Sequence, residues 1–85
     1  MKGQCYICGR FSDLERHHVY SGSYRQISEK LGLVIELCPE CHRRLHSGSG
    51  AQEKRIVQRS IQKAYMSELG ISLDEWITVF GKSWL

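Results

Sequence analysis

Asparagine is absent from this 85-residue chain and proline occurs once. No apolar run approaches the ~18 residues that a membrane helix needs. The opening Met1-Lys2-Gly3-Gln4-Cys5 lacks the apolar core of a secretory signal. The expectation is therefore no membrane association and a cytoplasmic location, where thiols stay reduced and cysteines serve metals rather than disulfides. Neither charge sign dominates. The formal net charge is +3, and it is spread along the chain without a basic tail. That balance permits a nucleic-acid partner without arguing for one. There is no internal repeat beyond a paired cysteine motif, and no low-complexity stretch longer than Ser47-Gly48-Ser49-Gly50. Residues 1–85 read as one domain, too small to be secure through apolar packing alone.

What is present is concentrated in the first half. Cys5-Tyr-Ile-Cys8 and Cys38-Pro-Glu-Cys41 use every cysteine of the chain. Two such turns suit tetrahedral zinc, each aiming two thiolates at the ion and together leaving no open position. Binding one zinc through four thiolates would lower the net charge from +3 to about +1. The free energy of that binding is also folding free energy, which a small domain needs. Two matched pairs disfavour the readings of free buried cysteines or a redox pair. The long interval between Cys8 and Cys38 must be a folded excursion that returns, as a strand–loop–strand hairpin does.

All four histidines sit inside or beside this cysteine frame. His17 and His18 are adjacent, and on a strand they point to opposite faces. His42 and His46 are four apart, so on a helix they share a face and can hold one ion. Cys41 and His42 lie about 100° apart around that helix axis, so one helix can serve two metals. Two plainer readings stand beside this one. His46 could merely sit at a helix C-terminus, favoured by the dipole, and His42 could join three thiolates in a single mixed site.

The periodicity predicts a cysteine-bearing turn over 1–14 and a strand over 15–20. A short helix over 24–31 follows, with Ser23 as N-cap and Gly32 at its end. A second strand spans 33–37, and a helix spans 39–47 with Pro39 in its first turn. Ser47 to Gly50 reads as a flexible break. Val57, Ile61, Ala64, Tyr65 and Leu69 form an apolar stripe on a helix over 51–69. Ser72 with Glu75 is a capping box that opens a last helix bearing Leu73, Trp76, Ile77 and Phe80. Trp76, Phe80 and Trp84 are expected in the core or at an oligomer contact.

The two C-x2-C pairs, the Glu15-Arg16-His17-His18-Val19 run and Leu37-Cys38-Pro39-Glu40-Cys41-His42 with His46 beyond resemble the HNH endonucleases. This resemblance covers about half the chain. It implies a small α+β fold, with a ββα-metal core and structural four-cysteine zinc site over 1–47 and a helical extension over 51–85. That extension and the closing Phe80-Gly81-Lys82-Ser83-Trp84 resemble short phage and prophage proteins of the HNH type, which would place the protein in a bacterial cell or an infected host. The resemblance further implies a DNA endonuclease or nickase leaving 5′-phosphate and 3′-hydroxyl ends. His17, His42 and His46 would hold a catalytic divalent ion (Mg²⁺, Mn²⁺, Ni²⁺ or Zn²⁺), and His18 would be the general base. Arg16, Arg25, Lys30, Arg43 and Arg44 are the basic residues nearest this site and are candidates for phosphate contact. A homodimer or a targeting partner could use the C-terminal helices. One departure is clear. Many zinc-knuckle HNH proteins carry, nine residues before the helix histidine, an asparagine that braces the loop and orients the base. Leu33 stands there, and Ser21, Ser23, Gln26 and Ser28 are the nearby side chains able to substitute.

Overall fold

A computed structural model describes residues 1–85. The first segment is more than a turn. Strands β1 (Lys2–Gln4) and β2 (Phe11–Asp13) pair antiparallel, Gly3 opposite Ser12, and hold the Cys5–Cys8 turn at their tip. Gly9 closes that turn at φ +76°, which disfavours any residue with a Cβ. The backbone N–H of Tyr6 donates to the Glu36 carbonyl at 3.0 Å. This bond fastens the first cysteine turn to the strand that leads into Cys38.

Strands β3 (Glu15–His18) and β4 (Val34–Leu37) form the second antiparallel pair, with His17 opposite Ile35 and Glu15 opposite Leu37. Pleating puts Glu15, His17, Ile35 and Leu37 on one face, and Arg16 and His18 on the other. The connection between these strands carries helix α1 (Arg25–Leu31). A single 3-10 turn over Gly22–Tyr24 precedes α1, so Tyr24 rather than Ser23 occupies the N-cap, and it makes no side-chain cap. Gly32 ends α1 in the left-handed region, as the sequence predicts.

Helix α2 (Pro39–His46) starts with Cys38 as N-cap, its sulfur accepting from the Cys41 N–H. The Ser-Gly stretch after α2 is not a loose break. Gly48–Gly50 form a 3-10 turn that feeds directly into α3 (Ala51–Leu69). Gly50 is buried, and a Cβ there would lie 2.0 Å from the Arg44 carbonyl oxygen. Glycine is therefore required for α3 to fold back against α2.

The buried face of α3 differs from the expected stripe. Val57 is buried and Ile61 and Tyr65 are half-buried, but Ala64 and Leu69 are exposed. Their place is taken by fully buried Gln62. Its amide donates to Ser83 Oγ at 3.0 Å, and its carbonyl accepts from the Trp84 N–H at 2.7 Å. A polar side chain is tolerated there because both ends are bonded, and it pins the C-terminal segment. Helix α4 (Leu73–Phe80) opens with both halves of the Ser72/Glu75 capping box. Leu73 and Ile77 are exposed, while Trp76 and Phe80 are buried.

Tyr20, fully buried, joins the two halves of the molecule. Its ring centroid lies 5.6 Å from Trp76, 5.2 Å from Phe80 and 4.3 Å from Trp84. Its hydroxyl donates to the Gln58 carbonyl at 2.6 Å. Burial pushes the phenol pKa up, so it stays a donor. Trp76 and Phe80 are thus in the core, and half-buried Trp84 packs against it. The whole is a small compact α+β fold of two small antiparallel sheets and four helices. No helix is long and apolar enough to cross a membrane.

Candidate metal centres

The hairpin tip and the N-terminus of α2 bring all four cysteines together. Their sulfurs lie within 4.8 Å of one another, and Cys8 Sγ is 3.8 Å from Cys38 Sγ. Two ligands on a tetrahedral ion at about 2.3 Å are separated by about 3.8 Å, so the spacing fits zinc. The electrostatics fit as well. Burial opposes ionisation of Cys5, but N–H donors at Cys8, Cys38 and Ile7 outweigh it and bring the thiol down to about 6. The Cys41 N–H and the Arg10 guanidinium lower Cys38 against its own burial. Cys41 is pushed up, first by burial and then by the neighbouring thiols. A mutually repelling thiolate set of this kind is what a divalent cation neutralises. Four cysteines this close could hold a metal ion such as zinc. Arg10, which the motif does not announce, donates to both Cys38 Sγ at 3.8 Å and Glu40 at 3.3 Å.

A second cluster stands on the other side of α2. His17, His42 and His46 each offer a ring nitrogen within 4.8 Å of the others. The His17 ring is 5.3 Å from that of His42 and 5.5 Å from that of His46, centroid to centroid. His42 Nε2 and His46 Nε2 are 3.1 Å apart. Neighbouring ligands at about 2.0–2.1 Å from one ion are about 2.9–3.4 Å apart for octahedral to tetrahedral angles, so this pair fits a shared ion. The imidazoles do not enter the thiol cluster, so the mixed-site alternative does not describe this geometry.

Two further observations describe the donor set. His17 is 4 % exposed, and burial, then the neighbouring His42 and His46, lower its pKa to about 4. At neutral pH it is an uncharged ring with a free lone pair. His42 Nδ1 meets Glu15 Oε1 at 2.7 Å. That contact places the Nδ1 proton toward the carboxylate and turns the Nε2 lone pair toward His46. A carboxylate on the far nitrogen of a histidine is the usual support for a metal ligand. Glu15 is the residue that motif reading overlooked, although strand alternation puts it on the face of His17.

His18 stands apart from the trio. It points to the opposite side of β3, where its Nε2 lies 2.7 Å from Glu29 Oε2 on α1. The Glu29 carboxyl is held below the usual carboxylate range by hydrogen bonds from His18 and Arg16. With Nε2 engaged, Nδ1 is the nitrogen left to accept a proton. No feature of the local sequence marks Glu29; it follows from how α1 packs on β3.

The loop brace is also resolved. Of Ser21, Ser23, Gln26 and Ser28, it is Ser28 that ties the loop. Its buried hydroxyl donates to the Tyr20 carbonyl at 2.8 Å and accepts from the Tyr20 N–H at 3.2 Å. The Ser28 carbonyl accepts from the Leu33 N–H, and the Val19 N–H donates to the Leu33 carbonyl. Leu33 itself is buried core. The basic candidates divide. Arg16 pairs with Glu29 and Arg44 with Glu53, whereas Arg25, Lys30 and Arg43 make no ion pair. Comparison with protein-family models, with curated proteins and with solved structures returns no match.

Proposed function

We propose that this protein is a metal-dependent DNA endonuclease or nickase with a ββα-metal core of the HNH type, made by β3, β4 and α2. The observation that carries the reading is the convergence of His17, His42 and His46 next to a separate four-thiol cluster. The thiols fasten the hairpin to α2, and the imidazoles are left for chemistry. A divalent ion held by the three imidazoles would polarise the scissile phosphodiester and stabilise charge on the leaving 3′-oxygen.

The chain's own groups do the rest. His18 accepts a proton from the attacking water at Nδ1, as a neutral imidazole can near neutral pH. Glu29 fixes the tautomer and orientation of that ring through Nε2. Glu15 does the corresponding work for His42. The jobs of the missing asparagine are divided between neighbours, with Ser28 bracing the loop and Glu29 orienting the base. Arg25, Lys30 and Arg43, free of acidic partners, are available for phosphate oxygens.

The test is nicking of supercoiled plasmid by zinc-loaded protein given Mn²⁺, Ni²⁺ or Mg²⁺. Wild type should nick, EDTA should stop it, and His18→Ala should abolish it with the fold intact by circular dichroism. Equal residual activity in wild type and His18→Ala would sink the proposal.

A further inference from the structure

One face of α3 carries a feature that the imidazole site does not use. Arg55, Arg59 and Lys63 recur at four-residue steps, so they form one row along the helix. No Asp or Glu stands three or four positions from any of them, and Glu53, the nearest acid on the helix, is paired with Arg44. Like charges at this spacing repel, and none of the three is in an ion pair.

The first two members of the row line a groove of about 610 Å³ together with Gln52, Ile56 and Trp84. A second depression of about 250 Å³ adjoins it, sharing Arg55 and adding Gln58, Lys82 and Ser83. No acidic side chain lines either. The groove wall is firmly set. Gln62 holds the Trp84 N–H and Ser83 Oγ, and the Lys82 carbonyl accepts from Trp76 Nε1 at 3.1 Å. Lys82 Nζ lies 5.0 Å from the centroid of the Trp84 ring, which keeps this cation at the rim.

We propose that Arg55, Arg59 and Lys82 form a second binding site, a cationic groove that holds the phosphodiester backbone of a nucleic acid away from the histidines. The inference rests on the nuclease reading for the choice of polyanion. Arg55 and Arg59 are about 6 Å apart along the helix axis, so each can meet a separate phosphate. The contacts are to backbone, so the groove anchors any sequence. Guanidinium groups suit the task because they meet phosphate oxygens with two parallel donors. Such an anchor would compensate for a catalytic core too small to grip a substrate alone.

The experiment measures binding without cleavage. Zinc-loaded full-length His18→Ala protein, given no second metal, is titrated into a short fluorescein-labelled duplex and followed by anisotropy across a salt series. Each phosphate contact contributes about 0.9 to the slope of log K against log salt. Arg55→Gln, Arg59→Gln and Lys82→Gln should each flatten the slope by about one and weaken binding at every sequence tested. Lys2→Gln, which removes the same charge from β1, should leave the slope unchanged. Equal effects of the Lys2 and groove substitutions would overturn the proposal, as would no measurable binding at low salt. Nicking by wild type is scored separately. If plasmid stays intact but binding still depends on Arg55 and Arg59, the nuclease reading falls and the groove stands.

Discussion

The two clusters are built on one eight-residue helix and differ in almost every other respect. Cys38 and Cys41 sit at the N-terminus of α2, where unpaired N–H groups favour thiolate charge. His42 and His46 occupy its second half. Three of the thiols are buried to within a few per cent, whereas His46 is exposed and His42 half-exposed. The thiol set has four donors, enough to close a tetrahedron around one ion. The imidazole set has three, and one far nitrogen, His42 Nδ1, is held by Glu15. Closure with soft donors suits permanence, and an incomplete shell of borderline donors suits exchange. A turn of about 100° per residue is all that separates the two environments.

The most severe way to break this comparison is to open the closed centre. Cys41→Ser should unfold the domain, since a four-thiolate zinc would contribute on the order of 10 kcal/mol and the other tie from the hairpin tip to α2 named above is the exposed contact of Arg10 with Glu40. His42→Ala removes an equally central member of the imidazole cluster and should leave the fold standing with one equivalent of zinc. Metal content and circular dichroism of the two variants check this directly. A folded Cys41→Ser protein, or an unfolded His42→Ala protein, would mean that the roles of the two centres are reversed.

A smaller effect comes from the junction behind both centres. Gly50→Ala must move the Arg44 carbonyl or tilt α3, because the added carbon would overlap that oxygen. A loss of more than about 3 kcal/mol is expected, seen as a lower denaturant midpoint, with zinc still bound below the transition.

This junction shows where reading the residues stops. The boundaries of α2, β4 and α4 were legible because cysteine spacing, Pro39 and the Ser72 capping box are local signals. Both clusters were legible in pairs, because Cys5 with Cys8, Cys38 with Cys41 and His42 with His46 each recur at a fixed step within one local segment, whereas the approach of His17 from β3 depends on the sheet packing on α2. The tightness of the Ser-Gly turn was not, since composition reports what glycine permits rather than what surrounds it. Gln62 was missed for a related reason. An apolar stripe was drawn through Ala64 and Leu69, but the partners that make a buried amide tolerable, Ser83 and Trp84, arrive from 21 and 22 residues away. The loop brace was narrowed to four side chains, and only tertiary geometry selects Ser28.

Glu15→Gln sharpens the comparison without disturbing the scaffold. The amide keeps the shape of the side chain and loses the charge that supports His42. Affinity for the second metal should fall by about 10–100-fold, read by calorimetry with Mn²⁺ or Ni²⁺ on zinc-loaded protein. Thiol-bound zinc should be unaffected. Equal affinity in the variant would show that the carboxylate does not serve a metal ligand.

Glu29→Gln applies the same substitution on the opposite face of β3 and should act through a different quantity. Glu29 touches His18 and Arg16 but none of the three converging imidazoles. Second-metal affinity should therefore be unchanged while the nicking rate drops. The carboxylate is about half exposed, so solvent screens much of its effect and a loss of about tenfold is expected rather than the far larger loss at a buried pair. Arg16→Gln removes the other partner of Glu29 and leaves the His18 contact, so its effect should be smaller still. A rate that falls only in step with metal affinity would place Glu29 among the supports of the imidazole centre. A drop in rate at constant affinity would assign His18 and the three clustered imidazoles, which stand on opposite faces of β3, to different tasks.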